Sequence, residues 1–130
     1  MGSGPPPCPC RSRRPFADCC APYLTGEQNA PTAEALMRSR FTAYALGDLA
    51  YVARTWHPST RPADLSPDPD TTWVALQIVE TTAGRESDDT GTVHFRASFR
   101  TPTGRDVLEE ISRFTRQNGA WVYVDGDILT

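Results

Sequence analysis

A chain of 130 residues has room for one ordinary domain and a small appendage, and no second large core fits in it. With 38% hydrophobic and 22% charged residues it belongs among folded chains rather than disordered ones. Its net charge of −3 argues against a general nucleic-acid binder, which needs clustered positive charge to release counterions, and the use of arginine for all thirteen basic residues carries no functional message by itself.

Residues Met1 to Pro7 show no positive cluster followed by an apolar run, whether or not the leading Met-Gly-Ser-Gly is native, so no secretory signal is expected. No later stretch approaches membrane-spanning length, and the expectation is a soluble, cytoplasmic protein without membrane contact. From Gly2 to Pro31 the chain is rich in Pro, Gly and Cys and lacks apolar periodicity, so its order must come from something other than a core. Cys8, Cys10, Cys19 and Cys20 are the candidate constraint, and the remainder of the chain has no cysteine. Four thiolates make a closed tetrahedral zinc site, able to fix a segment too short and polar to fold alone. Disulfides are the competing reading. Adjacent residues such as Cys19 and Cys20 have Cα atoms about 3.8 Å apart, under the roughly 4.4 Å a disulfide needs. Cross-pairings stay open, as does a redox-active dithiol, although a reducing compartment favours zinc. Arg11, Arg13 and Arg14, between the two cysteine pairs, are candidates to offset the charge of a tetrathiolate centre or to meet an acidic or RNA partner.

Helical signals begin at Thr32, a capping residue, and Ala33, Leu36, Met37, Phe41 and Tyr44 form one apolar stripe that Gly47 ends. A shorter helix is expected from Asp48 to Trp56, with Leu49, Val52 and Trp56 toward the core and Pro58 as its stop. After a Pro- and Asp-rich connection over 59–70, strand patterning takes over at Thr72 and continues in four runs, an antiparallel meander. Val93, Phe95, Ala97 and Phe99 alternate with polar neighbours, Gly104 belongs to the next turn, and Asn118-Gly119 is a strong hairpin signal before Trp121 to Asp125. The expected fold class is α+β, with two helices packed across a four-stranded antiparallel sheet.

The run CPCRSRRPFADCCAPYLTGE resembles the SEC-C motif, a short zinc-binding module best known at the C-terminus of the SecA translocation ATPase. That resemblance implies Cys8, Cys10, Cys19 and Cys20 as ligands of one zinc ion. The usual Gly-Ser-Gly after the second ligand is Arg11-Ser12-Arg13 here, so bulky residues stand at two positions that favour positive φ. Beyond it, APTAEALMRSRFTAYALGDLAYVARTWHPSTRP, ISRF and NGAWVYVDGD look like the YchJ (UPF0225) family of bacterial proteins. That family pairs SEC-C with an NTF2-like domain, which implies a zinc knuckle over residues 1–27 and an NTF2-like domain over 28–130, its curved sheet enclosing a cavity.

Polar residues on inward faces are the candidates for that cavity. Arg40 lies on the apolar stripe of the first helix, one turn from Tyr44. Glu110 and Ser112 share a strand face with Leu108 and Phe114, and Glu110 is the expected ion-pair partner of Arg40. Tyr44 is a further pocket candidate, although it and Trp56 are expected mainly as core. His57 is a candidate base without a placed partner. Asp125-Gly126-Asp127 reads as a terminal turn rather than a calcium loop. No complete catalytic constellation emerges. Two functions follow: a non-enzymatic zinc adaptor presenting its knuckle to a protein or ribosomal partner, as the SecA resemblance implies, or a small-molecule binder or enzyme using the cavity. An open cavity with converging polar groups would favour the second.

Overall fold

The computed structural model describes residues 6–129; the N-terminal Met-Gly-Ser-Gly lies outside them, and the expectation of no secretory signal over Met1 to Pro7 falls almost wholly there. The N-terminal segment folds back on itself, with the Cys8 N–H donating to the Arg14 carbonyl at 3.0 Å and the Phe16 N–H to that of Pro6 at 3.0 Å. A 3-10 turn at Phe16–Asp18 and a one-turn helix α1 (Ala21–Leu24), begun by Pro at its N-terminus, complete it. Arg11 and Arg13, where glycine is usual, take φ values of 66° and 73°, so the loop keeps its left-handed geometry.

Helix α2 (Ala33–Leu46) starts where Thr32 accepts the Ala35 N–H and stops at Gly47, whose φ of 79° is left-handed. Leu36, Met37 and Phe41 are buried against the sheet as the stripe requires, but Ser39, Thr42 and Ala43 are also fully buried. The helix has neighbours on more than one side: the sheet, the cysteine segment and helix α3 (Leu49–Arg54). Asp48 caps α3 through the Tyr51 N–H, and the buried residues of α3 are Tyr51 and Val52. Trp56, expected inside this helix, lies beyond it, and the Tyr51 hydroxyl is 2.6 Å from Ser39 Oγ.

Strands β1 (Thr72–Ala83), β2 (Thr90–Thr101), β3 (Gly104–Gln117) and β4 (Ala120–Ile128) pair in sequence order, all antiparallel. Gly104 opens β3 rather than occupying the turn, whereas Asn118 and Gly119, at φ 54° and 84°, make the left-handed hairpin that their sequence predicts. Irregularities at Trp73/Ala75, Ile78/Glu80 and Arg113/Phe114 break the register, and such bulges bend a sheet toward the helices it covers. Asp125-Gly126-Asp127 is not a turn but part of β4, where Arg113 binds both carboxylates, to Asp125 at 2.5 Å and Asp127 at 2.8 Å. Among the described residues no helix is long and apolar enough to cross a membrane.

Candidate functional site

Cys8, Cys10, Cys19 and Cys20 are buried, and their four sulfurs all lie within 4.8 Å of one another. Cys10 Sγ is 3.6 Å from Cys19 Sγ, which is 3.9 Å from Cys20 Sγ. Sulfurs at the corners of a tetrahedron with metal bonds of about 2.3 Å stand roughly 3.8 Å apart, so the cluster already has the size of a tetrathiolate site. Hydrogen bonds from Cys20 and Cys8 push the Cys10 thiol well below its usual range. Cys20 is pushed far up by donating to Cys10, and burial pushes Cys19 up. Four crowded thiols cannot all ionise unless a cation joins them, and a divalent metal supplies that charge.

Residues around the sulfurs extend this fit. Ser12 Oγ is 3.1 Å from Cys19 Sγ, and the fully buried Thr42 hydroxyl donates to Cys20 Sγ at 3.4 Å while lying 3.6 Å from Cys8 Sγ. Arg38 Nη1 donates to the Cys10 carbonyl at 3.0 Å and reaches its sulfur at 3.9 Å. Such donors disperse the charge of metal-bound thiolates and orient the ligands. The guanidinium that meets the cluster therefore comes from α2. Arg11 and Arg14, expected to offset the charge from the loop, donate instead to the carbonyls of Val74 and Asp18. Arg38 and Thr42 stand on the polar face of α2, which sequence alone reads as solvent-facing.

The second feature is an open cavity of about 290 Å³ between α2 and the concave face of the sheet. Phe41, Trp73, Phe95 and Leu108 supply apolar wall, and Arg40, Tyr44, Glu110, Ser112 and Tyr123 all border it. Arg40 is only 4% exposed. Its Nη1 donates to the Val52 carbonyl at 2.9 Å and to Thr55 Oγ1 at 2.8 Å, and its guanidinium carbon lies 5.0 Å from the Trp56 ring centre and 4.7 Å from that of Tyr123. Burial lowers its pKa from the usual arginine value.

Glu110 was the expected partner of Arg40, but no ion pair joins them among the described residues. Glu110 Oε2 accepts instead from Ser112 Oγ at 2.7 Å and from the Tyr123 hydroxyl at 3.1 Å. Strand geometry explains the correction: the alternation that turns Glu110 inward also turns Ser112 inward two residues on, and β4 delivers Tyr123 beside them. Burial, then the charge of Glu110, raises the Tyr123 phenol, which remains a donor. Gly126, paired with Ser112, leaves the space that this carboxylate occupies.

Tyr44, a pocket candidate also read as core, borders the cavity at 37% exposure, its ring centre 6.4 Å from that of Trp73 on β1. Trp56 is partly buried and forms cavity wall. His57 does not line the cavity: its Nδ1 lies 2.7 Å from Ser59 Oγ and accepts the Ser59 N–H at 3.1 Å in the loop after α3, while its backbone N–H donates to the Tyr123 carbonyl at 2.7 Å. Tyr123 and Trp73 were not singled out from sequence, although their aromatic character on alternating strands was the available signal.

Two helices on a curved antiparallel meander, with a cavity between the layers and a four-cysteine segment at the N-terminus, define an NTF2-like domain carrying a candidate metal site. The family model for the middle NTF2-like domain of YchJ matches residues 32–126. A UPF0225 protein of Streptomyces coelicolor is 51% identical over 124 residues, covering 95% of this chain and 97% of its own. One from Deinococcus radiodurans is 48% identical over 120 residues, covering 92% and 87%. The solution structure of a SEC-C motif containing protein from Rhodopseudomonas palustris superposes with a TM-score of 0.84 at 30% identity, over 96% of this chain and 100% of that one. A crystal structure of a SEC-C motif containing protein from Psychrobacter arcticus gives 0.77 at 28% identity, over 95% and 83%. The chain belongs to the YchJ (UPF0225) family.

Proposed function

We propose that this protein is a small-molecule binder whose working site is the cavity, held in shape by one structural zinc ion on Cys8, Cys10, Cys19 and Cys20. The observation that carries the reading is the open cavity in which a buried arginine, a carboxylate and a phenol converge on an apolar wall. Binding sites of this kind combine mostly apolar lining with a few placed polar groups. Zinc is the assigned metal because closed four-cysteine sites are the common structural zinc sites, and such a site leaves no open coordination position for chemistry. The cysteine segment presses its ligands onto α2, the helix that supplies Arg40 and Tyr44, so the metal supports one wall of the cavity.

A fragment library tested against the isotope-labelled, zinc-loaded protein by NMR examines this reading. Fragments that shift the indole N–H signals of Trp56 and Trp73 are expected. A diverse library that moves neither signal refutes it.

The adaptor reading keeps one supporting observation: Arg11, Arg13 and Arg14 are exposed on the cysteine segment, a basic surface suited to an acidic protein or ribosomal partner. Its test is capture of such a partner from extract by the wild type and not by an Arg13→Glu, Arg14→Glu variant; equal capture by both removes it.

A further inference from the structure

The pocket of the proposed small-molecule binder contains a cation that, among the described residues, no carboxylate contacts directly, although Glu110 on the same cavity favours its charge. Both hydrogens of Arg40 Nη1 are committed, to Val52 and Thr55, and the guanidinium carbon lies 5.0 Å from the Trp56 ring centre and 4.7 Å from that of Tyr123, two rings that meet edge to face on the same side of it with centres 5.1 Å apart. Nε and Nη2 have no acceptor among the described residues. No wholly buried side-chain nitrogen or oxygen there lacks a hydrogen-bond partner, so these free donors front the cavity that Arg40 lines. Aromatic rings attract the charge and can take only weak N–H···π contacts, which do not replace an oxygen acceptor. A buried arginine without a direct carboxylate contact is costly, so a ligand that supplies one gains by binding there.

The free edge sets the chemistry of that ligand. Nε and Nη2 present two parallel N–H donors, the fork that matches the two oxygens of a carboxylate. The rim phenol of Tyr44 is raised by burial, remains protonated at neutral pH, and adds a further donor to the same cavity. Glu110 lies elsewhere in that cavity with its Oε2 already accepting from Ser112 and Tyr123, so its other oxygen is an acceptor for a donor on the ligand. Apolar wall from Trp73, Phe95 and Leu108 lies along the cavity, whose 290 Å³ suits a single ring rather than a nucleotide or a lipid chain.

We infer that the cavity takes a small aromatic monocarboxylate, its acid group on the free edge of Arg40, its ring against Trp73, Phe95 and Leu108, and a hydroxyl or amine toward Glu110. This inference rests on the pocket reading above.

The test titrates the zinc-loaded wild type with 4-hydroxyphenylacetate, its neutral amide 4-hydroxyphenylacetamide, and tyramine, following the indole signals of Trp56 and Trp73. The acid is expected to bind at least tenfold more tightly than the amide, with tyramine weaker still. Arg40→Met should abolish the preference for acid over amide, and Glu110→Gln should weaken the hydroxylated acid more than phenylacetate. The comparison of acid with amide on the wild type needs no variant, so it decides the matter even if a substitution perturbs folding. Equal binding of acid and amide, or tighter binding of tyramine, overturns the carboxylate assignment and leaves the pocket reading standing. No binding by any of the three overturns the assignment also, and the fragment library then decides separately whether the pocket binds anything.

Discussion

Thr42→Val isolates the contribution of the helix to the metal site. Valine keeps the shape of a residue that is 0% exposed, so no cavity opens and the change is confined to one hydroxyl. That hydroxyl donates to Cys20 Sγ at 3.4 Å and lies 3.6 Å from Cys8 Sγ. Hydrogen bonds to charged groups contribute about 1.5–3 kcal/mol, and a long bond to sulfur belongs at the low end. Zinc affinity should therefore fall about tenfold, equivalent to about 1.4 kcal/mol and within the range seen when partners of metal ligands are removed. The assay is competition for zinc against a chromophoric chelator at fixed pH, with urea denaturation of the apo-protein alongside it. Thr42→Ser, which keeps the hydroxyl and loses a methyl, should retain the affinity while losing about 1 kcal/mol of stability. Unchanged zinc affinity in Thr42→Val would refute the reasoning and leave Thr42 a packing residue.

Four further outcomes follow from the same geometry. Chelation should broaden or shift amide signals from Pro7 to Leu24 and from Arg38 and Thr42 while the sheet amides stay in place; collapse of the whole spectrum would show that the metal holds the entire core together. Arg40→Met removes a buried cation that has two hydrogen bonds but no direct carboxylate partner among the described residues, so it should cost well below the about 3–5 kcal/mol of a broken buried pair. A loss of that size, recovered by adding Glu110→Leu, would establish a direct pair between them. Gly126→Ala would place a methyl 2.0 Å from Glu110 Oε2 and displace the carboxylate from Ser112 and Tyr123, a loss of about 1–2 kcal/mol in urea denaturation; an unshifted midpoint would place Glu110 elsewhere. Glu109, held below the usual carboxylate range first by its hydrogen bond with His94, should titrate low by NMR. Its contribution is present above the unfolded pKa and is lost as pH falls through the folded one, and His94→Ala should return the midpoint upward.

Local rules made much of this molecule legible. Thr32, Gly47, Asp48 and Asn118-Gly119 sit where capping and turn chemistry put them, and the strand alternation turned Glu110 and Ser112 to the inner face. The four cysteines stood out because clustered thiols in an irregular segment have few uses. What escaped depends on packing between segments far apart in sequence. Arg38 and Thr42 form a polar face until the cysteine segment docks on it, and nothing in the helical period announces that contact. Arg40 and Glu110 were paired because each interrupts an apolar face, but the pairing ignored nearer partners: the end of α3 for Arg40, and Ser112 and Tyr123 for Glu110. A charge rule says that buried ions need partners without naming them.

The pocket is the centre of this account, and the most direct test is a crystal structure of the zinc-loaded protein soaked with the tightest-binding fragment from the library. The fragment is expected inside the cavity, against Trp73 and Phe95, with a polar group on the free edge of Arg40. A fragment bound elsewhere, over a cavity filled by repacked side chains, would contradict it.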